Sequence, residues 1–306
     1  MKFWSHYHVA HSVEEALELL QRYEGRAQVI AGGTDLLIDI QHGSHPPVET
    51  LIDITKIPEL TTLDTVKEGN ARYAILGAAV THSTIVDDPM IRSQATCLTE
   101  SCGVVGGPQI RNVATIGGNV AHALPAADGT LSLVALEAEA EVATPDRRER
   151  HPITALFTGP GQSIVDPTRD LLTRFWVHLS TFGEGSAFKR IMRPQGIALP
   201  ILGCAVRVRL DSAREAFEDV SICLGPTGPV PSRAQEVERW LTGKAAEEAV
   251  IAEAAAVAKR VLHPRTSKYR ATAEYRSEMI EVLVRRSLHT ALIRARTGEA
   301  VPEGVE

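Results

Sequence analysis

The apolar positions change period several times along the chain, and the changes mark out its elements. Residues 3–9 alternate enough to predict a short strand. Ser12-Val13-Glu14-Glu15 then opens a helix by capping-box logic, carried on by Ala16, Leu17, Leu19 and Leu20 and ended by Gly25. Val29-Ile30 and Leu51 to Ile54 are the next apolar runs, so a strand–turn–helix–strand unit is the economical reading of the first fifty residues. Gln41 to Pro47 is a loop by composition, and Pro58 marks a boundary. From about 60 to 172 the strands are shorter: Ala74 to Ala78, Val113 to Ile116 and Leu136 to Val142. A helix follows Thr81-His82-Ser83 to about Ser101 with an interruption at Pro89, Gly103 to Pro108 is a loop, and a short helix covers Thr130 to Leu136. Asp170 to Val177, Leu199 to Leu210 and Val220 to Leu224 read as strands, and 232–242, 245–262 and 268–296 as helices, so a small antiparallel sheet backed by helices closes the chain. The boundaries divide it into residues 1–56, 57–172 and 173–306.

Between these elements sit two glycine pairs. Ala31-Gly32-Gly33-Thr34-Asp35 follows Val29-Ile30, and Thr115-Ile116-Gly117-Gly118-Asn119 follows the run at 113–116. Adjacent glycines let the backbone turn where a Cβ would clash and let successive N–H groups point at one anionic oxygen. Either pair alone reads as an ordinary turn. Together, with small hydroxyl and amide side chains, they suit a ligand with two phosphates met from two sides. Asp128, just ahead of the short helix, is read either as its N-cap or as an acceptor for ligand hydroxyls.

Composition narrows the chemistry. The 306 residues are 44% hydrophobic, as in an ordinary globular protein, and the net charge of −6 argues against a nucleic-acid or acidic-lipid surface. Residues 1–140 hold 8 Lys and Arg against 17 Asp and Glu, so a diphosphate there must be held by local backbone donors. Cys97, Cys102, Cys204 and Cys223 form no C-x-x-C pair, which points to buried thiols rather than zinc or an iron–sulfur cluster. His6, His8 and His11 lack a completing carboxylate or cysteine and are read as locally bonded. With no signal core and no run near the ~20 apolar residues of a membrane span, the expected location is cytoplasmic.

Three stretches, Val29 to Leu37 (VIAGGTDLL), Leu76 to His82 (LGAAVTH) and Ile110 to Asp128 (IRNVATIGGNVAHALPAAD), together resemble the FAD-binding medium subunit of the molybdenum hydroxylases, the carbon monoxide dehydrogenase and xanthine dehydrogenase family. Phe188 to Val206, Gly228 to Arg233 and Lys268 to Arg276 resemble the family's later segments in the same order. The resemblance implies an α+β chain: a two-subdomain FAD-binding fold of the vanillyl-alcohol oxidase (PCMH) type, then a C-terminal antiparallel sheet with a helix bundle. It implies non-covalent FAD, with Val29 and Ile30 among the cofactor-binding positions, the pyrophosphate held by Ala31, Gly32, Gly33, Thr34, Asp35 and Leu36 and by Thr115, Ile116, Gly117, Gly118 and Asn119, and Asp128 accepting from ligand hydroxyls. Val105 and Leu172 correspond to residues near the isoalloxazine, and Lys189 to a position near the flavin. Thr34-Asp35 departs from the His-Ser or Thr-Asn of many relatives. A carboxylate there would repel a diphosphate, so Asp35 is expected to cap the following helix or bond neighbouring backbone. Pro194-Gln195-Gly196 departs where many relatives carry an acidic residue.

The function implied is electron relay, with no catalytic acid or base and no metal ligand in this chain. A small subunit with two [2Fe–2S] clusters would supply electrons from a molybdopterin-containing large subunit, in a dimer of heterotrimers, and the acceptor would be NAD⁺, a quinone or oxygen. The competing reading is a self-contained FAD-dependent oxidase or reductase of the same fold, with His82 or His122 as base or covalent flavin anchor. A scaffold that has lost FAD is a third, weakened by the two intact glycine pairs.

Overall fold

The computed structural model describes residues 3–193 and 199–305, so the Pro194-Gln195-Gly196 departure lies outside the described residues. The first unit runs β1 (His6–Val9), α1 (Val13–Tyr23), β2 (Ala27–Ile30), α2 (Leu36–His42) and β3 (Thr50–Asp53), and its strands form a parallel sheet in the order β1-β3-β2. The expected Ser12 cap opens α1, Glu15 N donating to Ser12 Oγ at 3.0 Å, while Glu15 Oε2 accepts from His11 N, one residue before the cap, at 2.7 Å. His8 bonds the Tyr23 hydroxyl at 2.9 Å, as a locally satisfied histidine would.

The second unit begins with α3 (Pro58–Thr61), β4 (Leu63–Glu68) and β5 (Ala71–Gly77). Six helices follow: α4 (His82–Asp87), α5 (Pro89–Gln94), α6 (Thr96–Gly103), α7 (Pro108–Arg111), α8 (Ile116–Ala121) and α9 (Asp128–Ala135). Strands β6 (Glu139–Ala143), β7 (Arg148–Pro152), β8 (Phe157–Gly159), β9 (Gln162–Ser163) and β10 (Leu171–His178) complete it. Its main sheet is antiparallel in the order β4-β5-β10-β6-β7. Two expectations change here. A boundary after residue 172 falls inside β10, the middle strand, so this unit reaches His178. Val113 to Ile116 is not a strand, because Thr115 caps α8, its Oγ1 accepting from Gly118 N at 3.1 Å, and only an isolated bridge joins Thr115 to Thr81.

The C-terminal unit is β11 (Glu184–Met192), β12 (Pro200–Leu210), β13 (Phe217–Gly225) and β14 (Ser232–Arg233), an antiparallel sheet in chain order, with α10 (Gln235–Leu241), α11 (Glu248–Val261) and α12 (Ala273–Thr297). Both sheet faces are buried. Leu202, Cys204, Val206 and Val208 pack on α11 and α12, while Phe188, Ala205 and Cys223 join the core of the second unit. All four cysteines are buried free thiols, and burial pushes those of Cys97 and Cys204 up to about 12.

The first unit is tied on by its own small core, which takes in Ala79, Ala143 and Leu171, and by Glu14 of α1, which meets Arg148 Nη2 of β7 at 2.9 Å. Arg294 of α12 is buried, its Nη2 2.6 Å from Glu100 on α6. Among the described residues no helix is long and apolar enough to cross a membrane.

Candidate functional site

The first glycine turn leaves β2 and enters α2. Gly33 has φ +66, in the left-handed region that glycine occupies without strain. Gly32 is pressed against residues 113–114: an added Cβ would stand 2.8 Å from Ala114 Cα and would overlap the Val113 carbonyl. The two glycine turns are therefore brought side by side by backbone contact. Among the described residues, the N–H groups of Gly32, Gly33, Thr34 and Asp35 find no backbone acceptor, a row of unspent donors. Asp35 stands at the N-cap position of α2, yet its exposed carboxylate makes no capping bond, because its backbone is already helical (φ −103, ψ −51) rather than extended.

The second turn is built differently from its expectation. Ile116 N donates to Val80 O at 3.0 Å, Gly117 N to Ala78 O at 2.9 Å, Gly118 N to the Thr115 hydroxyl and Asn119 N to Thr115 O at 3.0 Å. These N–H groups are committed to the segment after β5 and to the helix cap. Gly117 is required there, since a Cβ would collide with Ala78 O. What this turn offers a ligand is close approach at exposed Gly118 and the Asn119 amide, whose Oδ1 accepts from Thr130 N at 3.0 Å. Asn119 thus does the capping work at α9 that was open for Asp128.

Asp128 is the first residue of α9, and its side chain makes no cap bond. Oδ2 receives Arg190 Nη1 at 2.6 Å, whereas Oδ1 is buried without a partner. Burial raises its carboxyl to about 6, against the pull of Arg190 and the more distant Arg270. Arg190 Nη2 also donates to Val104 O at 2.6 Å, so the loop bearing Val105 lies beside Asp128. Arg111 braces the same loop through Gly106 O at 3.2 Å.

Five of the expected positions stand apart or only frame the turn. Val29 spends its N–H on Pro167 O at 3.1 Å, Ile30 is a core residue, and Leu36 starts α2. Leu172 pairs with Val142 and shares a buried core with Ile116 of the second turn. Lys189 faces away from Asp128 and pairs with Glu303 at 2.5 Å. The residue of β11 that reaches Asp128 is Arg190, because neighbours on a strand point to opposite faces.

His82 is 1% exposed, packed against Gly129, with Nδ1 unpartnered. Burial, with the Arg111 charge, lowers it to about 4, so it is neutral. His122 closes α8 as its C-cap.

A diphosphate, a ribityl chain and a flat ring need backbone donors, a hydroxyl acceptor and a loop wall. The free N–H row, the buried Asp128 Oδ1 and the 103–107 loop fit those needs in kind. Comparison with known proteins agrees. A family model described as the FAD binding domain in molybdopterin dehydrogenase matches residues 2–177, and one described as the CO dehydrogenase flavoprotein C-terminal domain matches residues 186–291. The 6-hydroxypseudooxynicotine dehydrogenase complex subunit alpha of Paenarthrobacter nicotinovorans is 32% identical, covering 95% of either chain. The carbon monoxide dehydrogenase medium chain of Hydrogenophaga pseudoflava is 29% identical over 94% of this chain and 97% of its own. A solved structure of that organism's carbon monoxide dehydrogenase superposes with a TM-score of 0.86, at 29% identity, over 95% of this chain and 98% of the other.

Proposed function

Because the chain belongs to the family of FAD-binding medium subunits of the molybdenum hydroxylases, we propose that it is the electron-relay subunit of such a complex. In this reading a partner with [2Fe–2S] clusters delivers electrons drawn from a molybdopterin-containing large subunit, and this chain hands them to NAD⁺, a quinone or oxygen. Bound FAD supplies the redox chemistry. The side-by-side packing of the two glycine turns, which leaves the Gly32 to Asp35 donors free, carries the cofactor half of the reading. The relay half is supported by relatives that are subunits or medium chains of dehydrogenase complexes.

The chain's own residues divide the work. Gly32, Gly33, Thr34 and Asp35 offer N–H groups to the diphosphate, Thr115 and Asn119 bring hydroxyl and amide chemistry from the facing turn, and Asp128 accepts from a ligand hydroxyl. The 103–107 loop, steadied by Arg111 and Arg190, would wall the ring.

The purified chain should show the visible absorption of a flavin and release FAD into the supernatant on acid precipitation, identified by mass. In the complete complex the flavin band should bleach on adding the organic substrate and return with the acceptor. The isolated chain should not bleach with substrate. Bleaching without partners, or colour retained in the acid pellet, would establish the self-contained oxidase instead.

A further inference from the structure

We propose that Arg190 is a positioning residue for the flavin: reaching from the C-terminal sheet, it holds the Asp128 carboxylate and the Val104 carbonyl together, so that Asp128 Oδ1 stays available as an ionised acceptor beside a fixed loop. The inference rests on the reading of Asp128 and the 103–107 loop as flavin contacts.

Three elements meet at this guanidinium. Asp128 opens α9, Val104 caps α6, and Arg190 stands on β11 opposite Gly203, where an added Cβ would press on Leu131 of α9. The ion pair is shielded, with the two side chains 7% and 5% exposed, and Nη2 reaches Val104 O while also touching Met192 Sδ at 3.0 Å. A buried ion pair in itself is no better for stability than a well-packed apolar pair. Here one carboxylate oxygen is moreover left buried and unmatched, an arrangement that is unfavourable until a donor arrives. A pair that spends one oxygen on the cation and keeps the other open suits a ligand hydroxyl better than it suits a structural tie.

The other groups around Asp128 are few. Arg270, from the segment ahead of α12, adds a more distant positive charge; the Cys102 thiol of α6 is held protonated by burial; and neutral His82 of α4 lies beyond Gly129. Arg190 is therefore the contact that opposes the burial of this carboxyl most strongly, and without it the carboxyl takes up a proton more readily.

The test is the FAD dissociation constant of the full chain, by quenching of flavin fluorescence between pH 6 and 8.5, for the wild type, R190M, R190K and D128N. R190M should weaken binding about tenfold or more at pH 7, the worth of one charge-assisted hydrogen bond, and the deficit should shrink as pH rises and Asp128 ionises. R190K should keep the wild-type pH profile with a smaller loss, because an ammonium retains the charge but cannot bridge both acceptors as the planar fork does. The R190M/D128N double variant should bind no worse than D128N alone. Wild-type affinity in R190M, a loss uniform across pH, or fully additive losses would each overturn the proposal; if R190M does not fold, R190K and D128N decide it. A wild-type chain that takes up no FAD would overturn the underlying site reading instead.

Discussion

His82 shows how one side chain can make the whole protein acid-sensitive. Its folded state is lowered to about 4 by burial and by Arg111, whereas an unfolded histidine titrates near 6.5. Its contribution to stability is complete above about pH 6.5 and is lost as pH falls towards 4, because the unfolded chain gains the proton first. At pH 5 the loss amounts to about 2 kcal/mol. Asp128 works in the opposite sense: its raised carboxyl binds a proton more readily when folded, so it favours the fold as pH drops below about 6. Melting temperatures of wild type and H82Q between pH 7.5 and 5 should therefore diverge, with the variant holding its stability further into acid; parallel curves would remove His82 from the account. Residue identities announced the glycine pairs, the Ser12 cap and the need for an acid at 128. They could not announce Asp35's idle carboxylate or that Arg190 reaches Asp128, because those depend on one backbone dihedral and on which face of a strand meets α9.

The elements were legible where local chemistry dominates. Pro89 does interrupt the helices after Thr81, as its missing N–H requires, and α12 does run as one long helix, though it starts at Ala273 behind a Thr272 cap rather than at 268. The miss at 113–116 has a tertiary cause: the run is apolar enough for a strand, but Gly32 occupies the space beside its backbone and the Thr115 cap turns the chain into α8. That contact makes G32A a sharp probe. A single methyl must displace the Val113 carbonyl, so we expect about 1–3 kcal/mol of destabilisation and separation of the two glycine turns. Gel filtration with excess FAD should show the variant emerging stripped of cofactor while keeping its far-ultraviolet dichroism. Cofactor retained at wild-type stoichiometry would mean the turns need not touch.

The way the units are joined left almost no trace in the sequence, because it depends on pairs far apart in the chain. Glu100 and Arg294 are 194 residues apart, 2% and 4% exposed, and Glu100 also accepts from Phe188 N at 2.7 Å and Glu303 N at 2.8 Å. Removing one partner strands a buried charge, so R294M should cost about 3–5 kcal/mol in denaturant unfolding, and R294M/E100L less than the sum of the single changes. Losses below 1 kcal/mol would show that water reaches the pair. The antiparallel pairing of the C-terminal sheet, by contrast, could be anticipated from closely spaced strands with a turn cluster at 225–229. The second sheet could not be, because its central strand arrives last: β10 sits between β5 and β6 although it follows both in the chain. On the ribosome, β5 and β6, each paired on one side with β4 or β7, must consequently wait with the other edge open until residue 178 has left the exit tunnel. Nascent chains stalled short of β10 should be the form of this protein that chaperones hold, and a slow stretch of translation just after it would give the sheet time to close before the C-terminal strands emerge.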